Sequence, residues 1–222
     1  MLLDHVRETF MLHLQVSDPM DVVTTPPDLF LSRTLAHLCA PLFIFLTGLS
    51  AFLYGERYGK GEVSGFLFKR GLFLIVLEFT LVNFAWTFQF PATSVYLQVI
   101  WAIGLSMVAL AILVKLPRAA LVGLGVVIIA GHNLLDGVHF AKDSAMYVPW
   151  AILHDRGWLV PWEGLRLRTS YPVLPWIGVI ALGYAAGPWF AAGADARKRH
   201  NRLIASGLSL LALFFSLRVL NG

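Results

Sequence analysis

The chain is poor in charge, in cysteine and in metal-ligand spacings. Of its 222 residues 14% are charged, against about a quarter in an ordinary soluble domain, so there is too little charge to coat a globule in water. One cysteine, Cys39, excludes an internal disulfide and a cysteine-rich metal site. The seven histidines form no H-x-x-x-H pair, and the step from His132 to His139 crosses a helix end, so no metal is expected. With no glycine-rich phosphate loop and no G-x-S-x-G turn, serine-nucleophile hydrolysis has no motif to stand on. These absences exclude a secreted disulfide scaffold, a disordered tail and a soluble nucleic-acid binder. What is present is apolar: 58% of the residues are hydrophobic, and the net charge of +4 reports membrane orientation rather than a nucleic-acid partner.

A bilayer core about 30 Å thick takes roughly 20 apolar residues per helix. Six stretches qualify, at 34–54, 71–90, 94–114, 119–135, 172–190 and 203–219. None alternates like a barrel strand, and helices satisfy their own backbone in lipid. The expected fold is therefore all-α, a polytopic transmembrane bundle of six complete spans in a single membrane domain covering 1–222. Residues 1–15 are too short and too polar to span or to be a signal peptide, and are expected to be the end of a truncated first helix. Three basic segments (55–70, the turn with Lys115 and Arg118, and the run Arg197, Lys198, Arg199 and Arg202) fall on one side, assigned to the cytoplasm. The opposite, outer side receives 16–33, the turn near Pro91 and a long loop at 137–171. Trp86, Trp101 and Trp176 are expected at the outer boundary and Trp189 at the inner one. Gly183 with Gly187, and Gly123 with Gly125, mark faces where helices approach closely, with ligand contact as the lesser reading.

Ionisable groups at membrane depth are costly, so each one is a candidate. Of His37, Glu78, Asn83, Gln98, His132, Asn133 and Asp136, with Asp4 and His5 on the partial helix, most are expected to converge on the outer leaflet as a pocket, with Glu78 about mid-span. His132 and Asp136, four apart, would share a helix face. The carboxylate then either orients the imidazole as a general base or belongs to a helix-end capping cluster. Pro41 cannot donate to the His37 carbonyl, which implies a kink or a polar entrance there. Glu78 is either a buried partner of Gln98 or Asn83, or a proton-handling group. The loop residues His139, Lys142, Trp150, His154, Asp155, Arg156, Trp158, Trp162, Glu163, Arg166 and Arg168 suit either a loop lying on the interface or stacking on a sugar.

The runs Leu3-Asp4-His5-Val6-Arg7, His37-Leu38-Cys39-Ala40-Pro41-Leu42-Phe43-Ile44-Phe45-Leu46-Thr47-Gly48 and Leu97-Gln98-Val99-Ile100-Trp101-Ala102 carry a family resemblance. So do Gly131-His132-Asn133-Leu134-Leu135-Asp136-Gly137 and Leu174-Pro175-Trp176-Ile177-Gly178. Over nearly its whole length the chain resembles the bacterial branch of the heparan-α-glucosaminide N-acetyltransferase catalytic-domain family. The resemblance implies a multi-helix membrane acyltransferase, in the inner membrane of a bacterium, using acetyl-CoA or another acyl-CoA as donor and a sugar or glycan as acceptor. It implies His5 as the general base. An aspartate and an Arg-Gly pair are expected upstream of Met1, and further helices beyond Gly222. In the animal enzyme an asparagine stands at the place of His5 and the reactive histidine comes later, where His13 is the nearest match.

The leading expectation is acyl transfer, with His5 as base, His13 as its alternate, and His132 and Asp136 lining or assisting the site. The competing class is a proton-coupled transporter relaying through Glu78 and the histidines, or a non-catalytic membrane partner. Lipid is an expected partner, nucleic acid is not, and a homo-oligomer is left open.

Overall fold

The computed structural model describes Val6, Phe10, Asp21 and residues 25–220. Helix α1 (Pro27–Ala36) opens on proline, whose missing N–H costs nothing at a first helical position. It breaks at His37–Leu38, and α2 (Cys39–Tyr58) restarts beyond. Pro41 sits in the first turn of α2, where it leaves the His37 carbonyl without its helical donor. The expected span at 34–54 is thus two helices with a break. Gly59, at φ +98°, ends α2 and starts α3 (Lys60–Leu77) in one residue. Residues 55–70, expected as a basic loop, are helical apart from that glycine, and their charges decorate helix ends.

Helix α3 continues through a π turn (Glu78–Val82) into α4 (Asn83–Thr87). Then follow β1 (Ser94–Leu97), α5 (Val99–Leu113), α6 (Arg118–Gly131), a 3-10 turn (His132–Leu135) and α7 (Tyr147–Leu153). Strands β2 (Gly157–Trp162) and β3 (Leu165–Thr169), helix α8 (Leu174–Ala186), a 3-10 turn (Gly187–Trp189) and α9 (Ala196–Leu220) complete the order. The fold is mostly helical, yet the all-α expectation needs correcting, because β1, β3 and β2 form a sheet in that order. Strand β1 pairs in parallel with β3, Val95 opposite Leu167, and β2 pairs antiparallel to it. Ser-Val-Tyr-Leu and Leu-Arg-Leu-Arg alternate with period two. Val95, Leu97, Leu159 and Leu167 are turned inward, while Tyr96, Trp158, Arg166 and Arg168 share the other face. The apolar half of β1 lies within the stretch 94–114 expected as the third span, whose first residues are therefore strand and not helix. Trp101, expected in an interfacial belt, is buried beneath the sheet, edge-on to Phe79 at 5.7 Å.

Among the described residues, three helical stretches are long and apolar enough to cross a membrane: Pro27–Tyr58, Arg118–Leu135 and Ala196–Leu217. Six complete spans are not borne out by that measure. At 1.5 Å per residue, α5 and α8 are about 22 Å and 20 Å long, short of a ~30 Å hydrocarbon core. Helix α9 has no buried residue among those described and carries exposed Leu208, Leu211, Phe214 and Phe215, a surface suited to lipid.

Glycines set the spacing of the helices. A Cβ on Gly71 would lie 2.7 Å from the Gly104 carbonyl oxygen, and one on Gly104 2.9 Å from that of Gly71, so α3 and α5 touch backbone to backbone. Gly125 and Gly178 make the same reciprocal contact between α6 and α8, and Gly48 and Gly183 meet opposing backbone between α2 and α8. A Cβ on Gly187 would run into the Phe52 ring, whereas one on Gly123 would meet nothing within 4 Å beyond its own helix among the described residues. At the other end of α8, Arg118 Nε donates to the Ala185 carbonyl at 2.7 Å, satisfying a helix-terminal acceptor.

Substituting Gly104→Val is expected to destabilise the bundle by about 1–3 kcal/mol through overpacking, while Gly123→Ala gains up to about 1 kcal/mol of helix propensity. Thermal unfolding of the two variants in detergent checks both, and equal shifts would refute the close-contact assignment.

Candidate functional site

The polar residues singled out in the sequence separate into distinct groups. Asp4, His5 and His13 lie outside the described residues. His37 is exposed at the end of α1, its Nδ1–H donating to the Arg33 carbonyl at 2.8 Å. Glu78, Asn83 and Gln98 gather where β1 leads into α5. Glu78 is 1% exposed, and its Oε2 accepts the backbone N–H of Trp101 at 2.9 Å, capping an otherwise unpaired donor in the first turn of α5. Oε1 finds no partner among the described residues. Asn83 Oδ1 faces the Tyr96 N–H of β1 at 3.4 Å. These groups serve the junction between strand and helix, so the expectation of one common chamber is corrected.

His132, Asn133 and Asp136 do line a cavity of about 400 Å³, together with His139, His154, Asp155, Arg156, Tyr171 and Trp176. Its volume lies within the usual small-ligand range. Three segments build it. Helix α6 ends at Gly131 and tightens into the 3-10 turn that presents His132. The loop after α7 brings His154, Asp155 and Arg156, and the start of α8 brings Tyr171 and Trp176, whose rings lie 5.9 Å apart. Buried Thr169 anchors the middle segment: its hydroxyl accepts from the Gly157 N–H at 2.8 Å and donates to the Asp155 carbonyl at 3.2 Å. The Val173 N–H closes the frame on the Ile152 carbonyl at 2.9 Å.

His132 and Asp136 are not paired as expected. In a turn of three residues per repeat, side chains four apart leave a shared face. His132 Nδ1–H instead donates to the Ile129 carbonyl at 3.0 Å, so that in the neutral ring the lone pair is on Nε2. Asp136 reaches His154, its Oδ1 3.3 Å from Nε2. Nε2 of His154 also donates to the His132 carbonyl at 3.0 Å, and Nδ1 sits 3.2 Å from Asp155 Oδ1. Asp155 Oδ2 accepts from His139 Nδ1 at 3.2 Å. The His154 ring stacks on Trp150 at 5.0 Å, and Trp150 Nε1–H is held by the Val138 carbonyl at 2.7 Å.

Burial alone would lower the pKa of His154. The hydrogen bonds to Asp155 and the His132 carbonyl, with the charges of Asp155 and Asp136, outweigh it and raise the pKa above the ordinary histidine value. For Asp155 burial works upward, but hydrogen bonds from His154 and His139 and their charges hold its pKa below the usual aspartate value. His154, Asp155 and Arg156 were visible in sequence only as loop residues. The one local signal was Trp150 and His154 four apart, the spacing that stacks them as α7 ends.

The arrangement offers an imidazole at a cavity wall, a hydrogen-bonded ionic cluster beside it, and the Tyr171 and Trp176 rings in the same lining. No curated protein and no solved structure matches the chain. A family model described as heparan-alpha-glucosaminide N-acetyltransferase, catalytic, matches residues 10–216. That stretch takes in every segment that builds the cavity, and the chain belongs to that family.

Proposed function

We propose that the protein is an integral membrane acyltransferase that moves an acetyl or other acyl group from an acyl-CoA to an amino sugar or glycan, and that the acceptor is activated at the His132 cavity. The observation that carries this reading is the contact of His132 Nδ1 with the Ile129 carbonyl at 3.0 Å at the cavity wall. A carbonyl only accepts, so Nδ1 carries a proton there, and in the neutral ring Nε2 is the nitrogen that can take one. In the reaction Nε2 accepts the proton of the acceptor amine or hydroxyl as that nitrogen or oxygen bonds the thioester carbonyl carbon. The carbon–sulfur bond breaks, and the departing thiolate takes up a proton. Tyr171 and Trp176 supply ring faces for a sugar, and Arg156 supplies hydrogen-bond donors.

Six spans, an inner-membrane location with the cavity on the outer side, and His5 or His13 as a second base are part of the same proposal. The family match supports the transferase class. Glu78 engaged on the Trp101 N–H supports a structural role for the carboxylate that a transporter would use as its relay.

The test is transfer of labelled acetyl from acetyl-CoA to glucosamine-type acceptors by the reconstituted full chain. His132→Ala is expected to lower kcat by about 10²–10⁴-fold. Activity that survives His132→Ala, His5→Ala and His13→Ala alike would remove the mechanism. Glu78→Gln, which keeps an oxygen for the Trp101 N–H, is expected to retain transfer, and its loss with an intact fold would favour the relay.

A further inference from the structure

The His154 side chain is 7% exposed, and among the described residues every partner of its ring nitrogens is an acceptor. Nε2 faces the His132 carbonyl at 3.0 Å and Asp136 Oδ1 at 3.3 Å. Nδ1 faces Asp155 Oδ1 at 3.2 Å. A carbonyl and two carboxylates have no proton to give. A neutral imidazole carries a lone pair on one of its nitrogens, and in either tautomer that lone pair would meet an oxygen lone pair. Only the doubly protonated ring satisfies both sides. The Trp150 ring stacked at 5.0 Å with a 19° tilt adds an aromatic face to a cation.

We propose that His154 is a positioning residue, carried as the imidazolium at neutral pH, which clasps Asp136 and the His132 carbonyl and thereby fixes the histidine at the cavity wall. The clasp joins two segments distant in sequence: the 3-10 turn that ends α6, and the loop that follows α7. The positioning role rests on the reading of His132 as the base, whereas the charge state of His154 stands apart from it. The groups that face this imidazolium are Asp136 from the end of the 3-10 turn, Asp155 beside it and His139 through Asp155. Arg156 and Tyr171 share the cavity.

Losing a ring proton would set a nitrogen lone pair against the carboxylate of Asp155, or against Asp136 and the His132 carbonyl. The pKa of His154 is raised in the folded protein, so the clasp is complete below the ordinary histidine value and is lost as pH rises through the elevated one. The 3-10 turn then loosens and the alignment of His132 is lost at alkaline pH.

The direct test is nitrogen-15 NMR of histidine-labelled full chain in nanodiscs, titrated from about pH 5.5 to 9.5. His154 is assigned by its disappearance in His154→Gln, or by its altered titration in Asp155→Asn should the first variant not fold. Two protonated ring nitrogens at neutral pH, with a midpoint above that of an unperturbed histidine (about 6.5) and lowered in Asp155→Asn, are expected. A neutral ring at pH 7, or a midpoint at or below that value, overturns the proposal whether or not transfer is ever detected. Where transfer is measured, His154→Gln is expected to lower kcat about 10–100-fold with KM little changed and to abolish the alkaline limb attributed to His154. An unaltered pH profile would contradict the positioning role.

Discussion

Backbone groups in a bilayer must be paired within the protein, and this bundle is organised by how it meets that demand where helices stop short. Helix α5 begins at Val99 and its first turn is buried at Trp101, so the N–H there needs a partner other than water. Glu78 supplies one, reaching from the π turn of the neighbouring helix to the Trp101 N–H. Strand β1 carries the chain into that helix with its own hydrogen bonds taken up by β3. At the far end of α8 the Arg118 guanidinium does the same for the Ala185 carbonyl. The side chains that look functional by depth alone are thus divided between two tasks, closing the backbone and lining the cavity.

The cavity follows from the same shortness. Helix α8 begins at Leu174, and α6 gives up its α-helical repeat at His132, which leaves room at one end of the bundle. The loop after α7 fills that room from the side and is held by Thr169 and the sheet. Reciprocal glycine contacts keep α6 against α8, and Gly48 and Gly183, each set on opposing backbone, keep α8 against α2. The walls that carry His132 and Trp176 therefore stand on helices whose backbones pack in direct contact.

Much of this was legible in the sequence, for identifiable reasons. Hydrophobic length located the helices because lipid imposes a length, and the His132-Asn133-Asp136 cluster stood out because polar groups there are costly. Hydropathy could not show that residues 94–97 form a strand, since a four-residue amphipathic strand beside a helix raises the same average. Nor could it show the use of Glu78 as a cap, which depends on where the chain returns in space. His154 was hidden because its partners, Asp136 and the His132 carbonyl, lie in a segment remote in sequence. The i, i+4 rule misplaced Asp136 because the helix had already tightened to a three-residue repeat.

On the proposed function, acyl transfer takes place where the ends of α6 and α8 and the loop after α7 enclose one space. Its most direct test is an experimental structure of the full chain bound to a bisubstrate analogue, a glucosamine joined through its nitrogen to CoA by an acyl spacer. The account predicts the glucosamine between His132 and Trp176, with its substituted nitrogen within hydrogen-bond reach of His132 Nε2. Density for the sugar at a site away from these residues would contradict it.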